Sequence, residues 1–375
     1  MALDDDSAAE LALLADRGLR RGRRVVSGRQ GVRLVIDGRE VVSFSSNDYL
    51  GLAGHAALEE AATDGLRRAG VGAGASRLIV GNTMDHERLE RAVAAWLELP
   101  AACLFNSGFA ANTGVLPVVA GAGDVIFSDE LNHASLIDGC RLAKAEVVVY
   151  RHGDLADLEC KLGERRGRRA VVVTETLFSM DGDVVDIVEL DRLRRRFGAA
   201  LIVDEAHALG AMGEGGRGIA IPAGVVPDLV IGTLGKALGS HGAFAAGGTA
   251  TIDLLWNRAR TLVFSTGMPP AIASASVAAI ELVRGAEGER RRGALAANIA
   301  RMRPRSAPAA IQPVRVGDAR RVMEISEALL AEGIFVQGIR PPTVPAGTSR
   351  LRIALSADHH ANNMILLHDA LRRFT

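Results

Sequence analysis

The chain has 375 residues, more than one ordinary hydrophobic core, so length predicts about two or three domains. Acidic and basic residues balance at 44 each, so no net field favours nucleic acid or an anionic membrane, and an apolar fraction of 48% supports elements buried on every side. Cys103, Cys140 and Cys160 are isolated and odd in number, which argues against disulfides and a zinc site. The start, Met1 to Asp6, is acidic where a secretory leader is basic, and no run approaches the roughly 18 apolar residues of a membrane span; a soluble cytoplasmic protein is expected.

In chain order, the first 45 residues read as an Arg-rich helix followed by strands at Val32 to Ile36 and Glu40 to Phe44, a segment expected to pack with the C-terminal domain. Residues 46–284 read as a large α/β domain. Its strand candidates are Ala102 to Phe105, Asp124 to Phe127, Glu146 to Tyr150, Ala170 to Thr174, Ala200 to Asp204, Leu229 to Gly232 and Ala243 to Gly247. Helical patterns such as Asp154 to Arg166 and Asp186 to Phe197 fall between them. Strands without polar alternation, separated by helices, predict a mainly parallel seven-stranded sheet covered on both faces. Residues 285–375 read as a smaller α+β domain: a charged helix (Glu287 to Met302), a strand (Ile311 to Val316), a helix (Ala319 to Glu332), strands near Ile334 to Gln337 and Arg350 to Leu355, and a final helix. The basic runs at 165–169, 194–196 and 290–292 read as solvated helix faces.

In open α/β sheets ligands sit beyond the carboxyl ends of the strands. Only three of the 44 basic residues are lysine, and one, Lys236, lies in the apolar, glycine-rich stretch Thr233 to Ser240. Arginine cannot lose its proton at such a place; a desolvated lysine can, and its neutral amine forms Schiff bases. A snorkelling lysine beside a turn is the plainer alternative. Strand Ala200 to Asp204 ends in an acid and continues to His207. Asp204 suits either a helix cap or a partner for a protonated heterocyclic nitrogen, with His207 donating to a ring hydroxyl; the second set of demands is that of pyridoxal phosphate. Lys236 follows Asp204 by 32 residues, about one strand-helix-strand step, so neighbouring strands bring acid and amine to opposite ends of one ring. Ser107 and Gly108, after strand Ala102 to Phe105, form either an ordinary cap or a phosphate cradle at a helix start. Thr233, Ser265 and Thr266 are turn residues or hydroxyl donors to the same phosphate, His133 is a polar cap or a ring that stacks on the cofactor, and Glu175 and Ser179 fall at a further strand end.

The segments Phe44 to Leu52, Gly72 to Asn82, Ser107 to Asn112, Val203 to Gly210 and Thr233 to Lys236 together resemble the α-oxoamine synthases, which are fold-type-I pyridoxal phosphate transferases, over nearly the whole chain. Pro341 to Ile353 supports the branch that joins alanine to a pimeloyl thioester. The resemblance implies that Lys236 bonds to the cofactor aldehyde, that Asp204 pairs with the pyridine nitrogen, that His207 contacts the ring oxygen and that His133 stacks on the ring. It also implies that Gly108 and Phe109 hold phosphate with Thr233, that Ser179 lines the cofactor site, and that Arg352 anchors the amino-acid carboxylate while Arg350 is structural. Arg21, Asn47 and Thr343 match acyl or substrate contacts, and Ser265 and Thr266 match contacts to the neighbouring cofactor of a homodimer; Gly267 departs from the serine expected in that turn. The implied reaction is a decarboxylative condensation of L-alanine with pimeloyl-CoA or a pimeloyl carrier-protein thioester, releasing CoA and carbon dioxide. Glycine acetyltransferase, 5-aminolevulinate synthase, serine palmitoyltransferase, an aminotransferase or lyase of the same fold, and a non-enzymatic nucleotide-binding module are the competing readings.

Overall fold

The computed structural model describes residues 2–165, 168–302 and 307–374. Packing divides the chain into two units, one of Met1–Ser46, Met180–Gly182 and Leu295–Thr375, the other of Asn47–Ser179 and Asp183–Ala294. The second boundary falls inside helix Ala286–Arg301, beyond the change of composition at residue 285. The helix is shared for a physical reason. Arg291 near its start donates to Leu50 O at 2.6 Å and Arg292 to Val283 O at 2.8 Å, whereas Asn298 near its end donates to Ser356 O and His359 O at 2.9 and 2.8 Å.

The larger unit is built on strands β1 (Ala101–Phe105), β2 (Val125–Asp129), β3 (Glu146–Tyr150), β4 (Ala170–Glu175), β5 (Ala200–Asp204), β6 (Leu229–Thr233) and β7 (Ala243–Gly247). Their order in the sheet is β1-β7-β6-β5-β4-β2-β3. β2 to β6 pair in parallel, and β7 is antiparallel to both β6 and β1. The exception has a simple cause: only residues 234–242 join β6 to β7, too few for the crossover that a parallel return needs. β2, β4, β6 and β7 are buried at every position, which is why they lack polar alternation. β3 is one of the two edges, and Val147 and Val149 are exposed there. One core cluster runs through the sheet, including Phe105, Ile126, Val173, Ile202 and Ile231, and reaches helix α1 (Gly108–Val119) and helix α2 (Ala134–Leu142) through Val115, Leu116 and Leu136. α1 and α2 approach closely because residue 139 is glycine: a Cβ there would sit 2.6 Å from Asn112 O.

The N-terminal helix is Ala2–Asp16 and contains no arginine; the Arg-rich stretch lies beyond it, after Gly18 turns the chain at φ 66°. The step from β5 to β6 carries no α-helix, only short 3₁₀ turns at Glu214–Gly216 and Ile221–Ala223. Two arginines from the runs read as solvated are engaged in the fold: half-buried Arg194 bonds Asp191, Asp228 and the Ala199 and Val226 carbonyls, and buried Arg292 bonds two carbonyls and Glu289. The helix expected from Asp154 to Arg166 is Leu155–Gly163, capped by Asp154; Arg166 lies outside the described residues.

The smaller unit holds a four-stranded sheet, in the order Val26–Ser27, Arg33–Ile36, Arg39–Ser43, Ile334–Phe335, and a three-stranded one, Ile311–Gly317, Ser349–Ala354, Gln337–Ile339. Helices Ala319–Ala331 and Ala361–Leu371 belong to it. Leu34, Ile36, Val41 and Leu330 form a small core with Phe335. Among the described residues no helix is long and apolar enough to cross a membrane.

Candidate active site

The site is assembled at the carboxyl ends of β4, β5 and β6. Asp204 closes β5, where the register sets it beside Glu175 of β4 and Ile231 of β6. Its carboxylate is buried and held by two donors: Ala206 N to Oδ1 and Asn112 Nδ2 to Oδ2, each at 2.8 Å. Glu205 beside it is engaged elsewhere, accepting from Thr176 Oγ1 and from the Ile219 and Ala220 amides. The second proton of Asn112 Nδ2 goes to Ser135 Oγ at 2.8 Å, while Asn112 Oδ1 is buried without a partner.

From Ser135 the proton order is determined. Ser135 N donates to His133 Nδ1 at 3.3 Å, so that nitrogen is an acceptor, and Ser135 Oγ lies 2.7 Å from it. With Asn112 supplying a proton to Ser135 Oγ, the hydroxyl donates to Nδ1, and the neutral imidazole carries its proton on Nε2. Burial, reinforced by the charge of Lys236 and opposed by that of Asp204, holds the His133 pKa below the ordinary histidine value. Glu175 accepts from the His133 amide at 2.7 Å, and burial, followed by the charge of Asp204, pushes its own pKa well up.

Lys236 stands on the short β6–β7 connection, half-buried. That loop is tied by Leu234 N to Gly242 O and Ser240 N to Leu234 O, at 2.9 and 2.8 Å. Lys236 Nζ donates to His207 Nε2 at 2.8 Å; His207 Nδ1 then donates to the Tyr49 hydroxyl at 2.7 Å, and Tyr49 donates to Asn47 Oδ1 at 3.2 Å. Tyr49, Asn112 and Ser135 were not singled out in the sequence, although Tyr49 and Asn112 fall within segments that carry the family resemblance. Asn112 is the more legible, since it lies four residues after Gly108 and therefore on the same face of α1.

The start of α1 offers free backbone donors. Ser107 Oγ accepts from Ala110 N at 3.1 Å and Ser107 O from Ala111 N at 2.9 Å. Among the described residues the Gly108 and Phe109 amides have no acceptor, and a Cβ on Gly108 would meet open space. Orphan amides at a helix N-terminus suit a phosphate. Thr233 is less ready for that role, because its hydroxyl donates to Gly242 O at 3.1 Å and must turn to reach another acceptor. The Ser265–Thr266 turn lies beside this helix start: Asn106 Nδ2 donates to Thr266 O at 2.8 Å. A Cβ at Gly267 would come within 2.8 Å of Gly81 O, which explains glycine in place of serine. Ser179, buried, lies in the loop that follows β4.

In the smaller unit, Arg21 Nη2 donates to Thr343 Oγ1 at 3.3 Å. Arg350 is buried and ion-paired with Asp181, and Arg352 follows two residues later on Ser349–Ala354.

A buried carboxylate and an amine at neighbouring strand ends, with unpaired amides at a helix start, fit pyridoxal 5'-phosphate. Fold and site define a fold-type-I transferase dependent on that cofactor. Residues 39–371 match the family described as aminotransferase class I and II, and the chain belongs to that family as a pyridoxal-phosphate-dependent acyltransferase. A Geotalea daltonii protein named 8-amino-7-oxononanoate synthase is 50% identical over 364 residues, 93% of this chain and 92% of its own. The protein of that name from Geobacter sulfurreducens is 47% identical over 369 residues, 95% of this chain and 94% of its own. The structure of serine palmitoyltransferase from S. paucimobilis, solved with a bound PLP–myriocin aldimine, superposes with a TM-score of 0.92 at 27% identity, covering 99% of this chain and 98% of that one.

Proposed function

We propose that the protein condenses L-alanine with pimeloyl-CoA, or a pimeloyl carrier-protein thioester, to give 8-amino-7-oxononanoate, CoA and carbon dioxide in biotin biosynthesis. The Cα–acyl bond forms, the thioester C–S bond and the Cα–carboxylate bond break, and protons go to the thiolate and to Cα. The observation that carries this reading is the placement of Lys236 and Asp204 at adjacent strand ends, the amine on His207 and the acid held by two donors.

When bound, pyridoxal phosphate supplies an electron sink for negative charge at the amino acid's α-carbon. Asp204, positioned by the Asn112 amide and Ala206 N, would pair with the pyridine nitrogen. Lys236 would bond to the cofactor aldehyde and, once the amino group of the amino acid has displaced it, its free Nζ would take the α-proton. With Lys236 engaged by the cofactor, the Tyr49 hydroxyl would turn to donate to His207 Nδ1, which moves the ring proton to Nε2 and leaves it to donate to the ring oxygen. His133 presents its Nε2 proton to the thioester carbonyl and packs its face on the ring. Ser107, Gly108 and Phe109 hold the phosphate with Thr233 once its hydroxyl turns, Ser265 and Thr266 reach the partner subunit's cofactor, and Glu175 and Ser179 complete the wall. Arg352 binds the alanine carboxylate with its planar fork, and Arg21, Asn47 and Thr343 contact the acyl substrate.

Incubation of the holoenzyme with alanine, glycine or serine and a series of acyl-CoA thioesters, with products identified by mass, tests the proposal. Alanine with pimeloyl-CoA is expected to give the main product. A dominant glycine–acetyl or serine–palmitoyl product would replace this reading with another synthase, and amino-group transfer to an oxo acid without carbon dioxide would replace it with transamination.

A further inference from the structure

The smaller unit contains a trough of about 710 Å³. Arg20, Arg21, Arg23, Arg24 and Arg340 line it against one carboxylate, Glu327, which Arg24 already engages. Among the described residues the other four arginines have no carboxylate within ion-pair distance. Arg340 is the unusual member. It is 7% exposed, its Nη2 donates to Arg20 O at 2.7 Å, and its Nε is shielded from water with no acceptor. A buried guanidinium without an anion is costly, and arginine does not relieve the cost by losing its proton. Loss of hydration and the neighbouring charge of Arg21 both act against the cation. Beside it the walls are apolar, with Met323, Phe335 and Ile339. A buried cation next to apolar walls complements a methylene chain that ends in a carboxylate; a strongly hydrated phosphate suits the exposed arginines of the rim.

We propose that Arg340, with Arg21, is a specificity-determining residue that receives the ω-carboxylate of a dicarboxylic acyl thioester, the methylenes lying against Phe335 and Ile339. The inference rests on the reading that the acyl donor is such a thioester, and it identifies the charge that separates it from a monocarboxylic chain of equal length.

Calorimetric titration of the holoenzyme with pimeloyl-CoA, heptanoyl-CoA and CoA tests it in wild type, Arg340→Met and Arg340→Lys. Wild type is expected to bind pimeloyl-CoA about tenfold to a hundredfold more tightly than heptanoyl-CoA, the range of a charge-assisted hydrogen bond. Arg340→Met should erase that difference, leave heptanoyl-CoA and CoA binding unchanged, and keep or raise the melting temperature, because no protein ion pair is lost. Arg340→Lys should retain part of the discrimination. Discrimination that survives Arg340→Met overturns the proposal. Weakened binding of CoA itself shows that a phosphate is the ligand, and a lowered melting temperature shows a scaffold role; either also overturns it. If binding discriminates as expected but alanine is not condensed with pimeloyl-CoA, the subsite stands and the reaction falls. If condensation proceeds without discrimination, the subsite alone falls.

Discussion

Lys236 meets the site through one atom, and its replacement separates chemistry from folding. Lys236→Ala is expected to abolish turnover and covalent cofactor attachment, read as loss of borohydride-trapped label on the peptide containing residue 236; retained activity with alanine and pimeloyl-CoA would defeat the assignment. Asp204→Asn keeps the shape and removes the charge, so it should still bind cofactor while α-proton exchange of alanine falls by about a hundredfold or more. Near-normal exchange would show that the carboxylate is not what keeps the heterocycle protonated. Asn112 is the residue that makes this sensitive, because one amide group holds Asp204 and, through Ser135, the tautomer of His133.

At the scale of elements, the hydrogen bonds of the loop before helix Ala361–Leu371 carry a pH dependence. His359 stacks on Phe44 at 4.2 Å, accepts from Ser356 N on Nδ1 and donates from Nε2 to Ser43 O. Both nitrogens are committed in the neutral ring, and burial lowers its pKa to about 4. The unfolded chain binds this proton more readily than the folded one. The stabilisation is therefore complete above about pH 6.5 and is lost as pH falls through about 4, amounting to about 3 kcal/mol. Urea unfolding of wild type and His359→Gln across this window should show a falling midpoint in the former and a flatter, lower one in the latter; parallel curves would assign the acid sensitivity elsewhere. The same scale explains the lysine loop: a connection too short for a crossover makes β7 antiparallel and leaves Lys236 at the sheet end beside the tip of β5.

For the whole molecule, Ile79, Val80, Met84 and Phe264 are large apolar side chains exposed in the larger unit, and the Ser76–Thr266 bridge brings the two chain segments together. Such a patch is expected to be covered by a second copy. Sedimentation should show a dimer that Ile79→Asp with Val80→Asp converts to monomer. If Ser265 and Thr266 act across the interface, mixing the inactive Lys236→Ala and Thr266→Val proteins should restore activity through one intact site per mixed dimer. A monomeric wild type, or no recovery on mixing, would confine the site to one chain.

Periodicity and the residues after each apolar run were enough to read the strands, their mainly parallel pairing and the positions of Asp204, His207 and Lys236, because these depend on local burial and on short sequence distances. The Arg-rich helix was misplaced because helix-forming side chains say little where a positive-φ glycine turns the backbone. Arg194 and Arg292 were misjudged because their partners, the carbonyls of Val226 and Gly210 among them, are remote in sequence.

The amino-acid order by itself determined the class of protein and the candidates for its chemistry: a lysine in an apolar stretch, an acid at a strand end, and glycine and serine at a helix start. Tertiary structure alone decided which proton sits on His133, that Tyr49 orients His207, that the Thr233 hydroxyl is spent on Gly242, and that Arg340 is buried without an anion. Residue type sets what a group can donate or accept, whereas burial and direction depend on neighbours far along the chain.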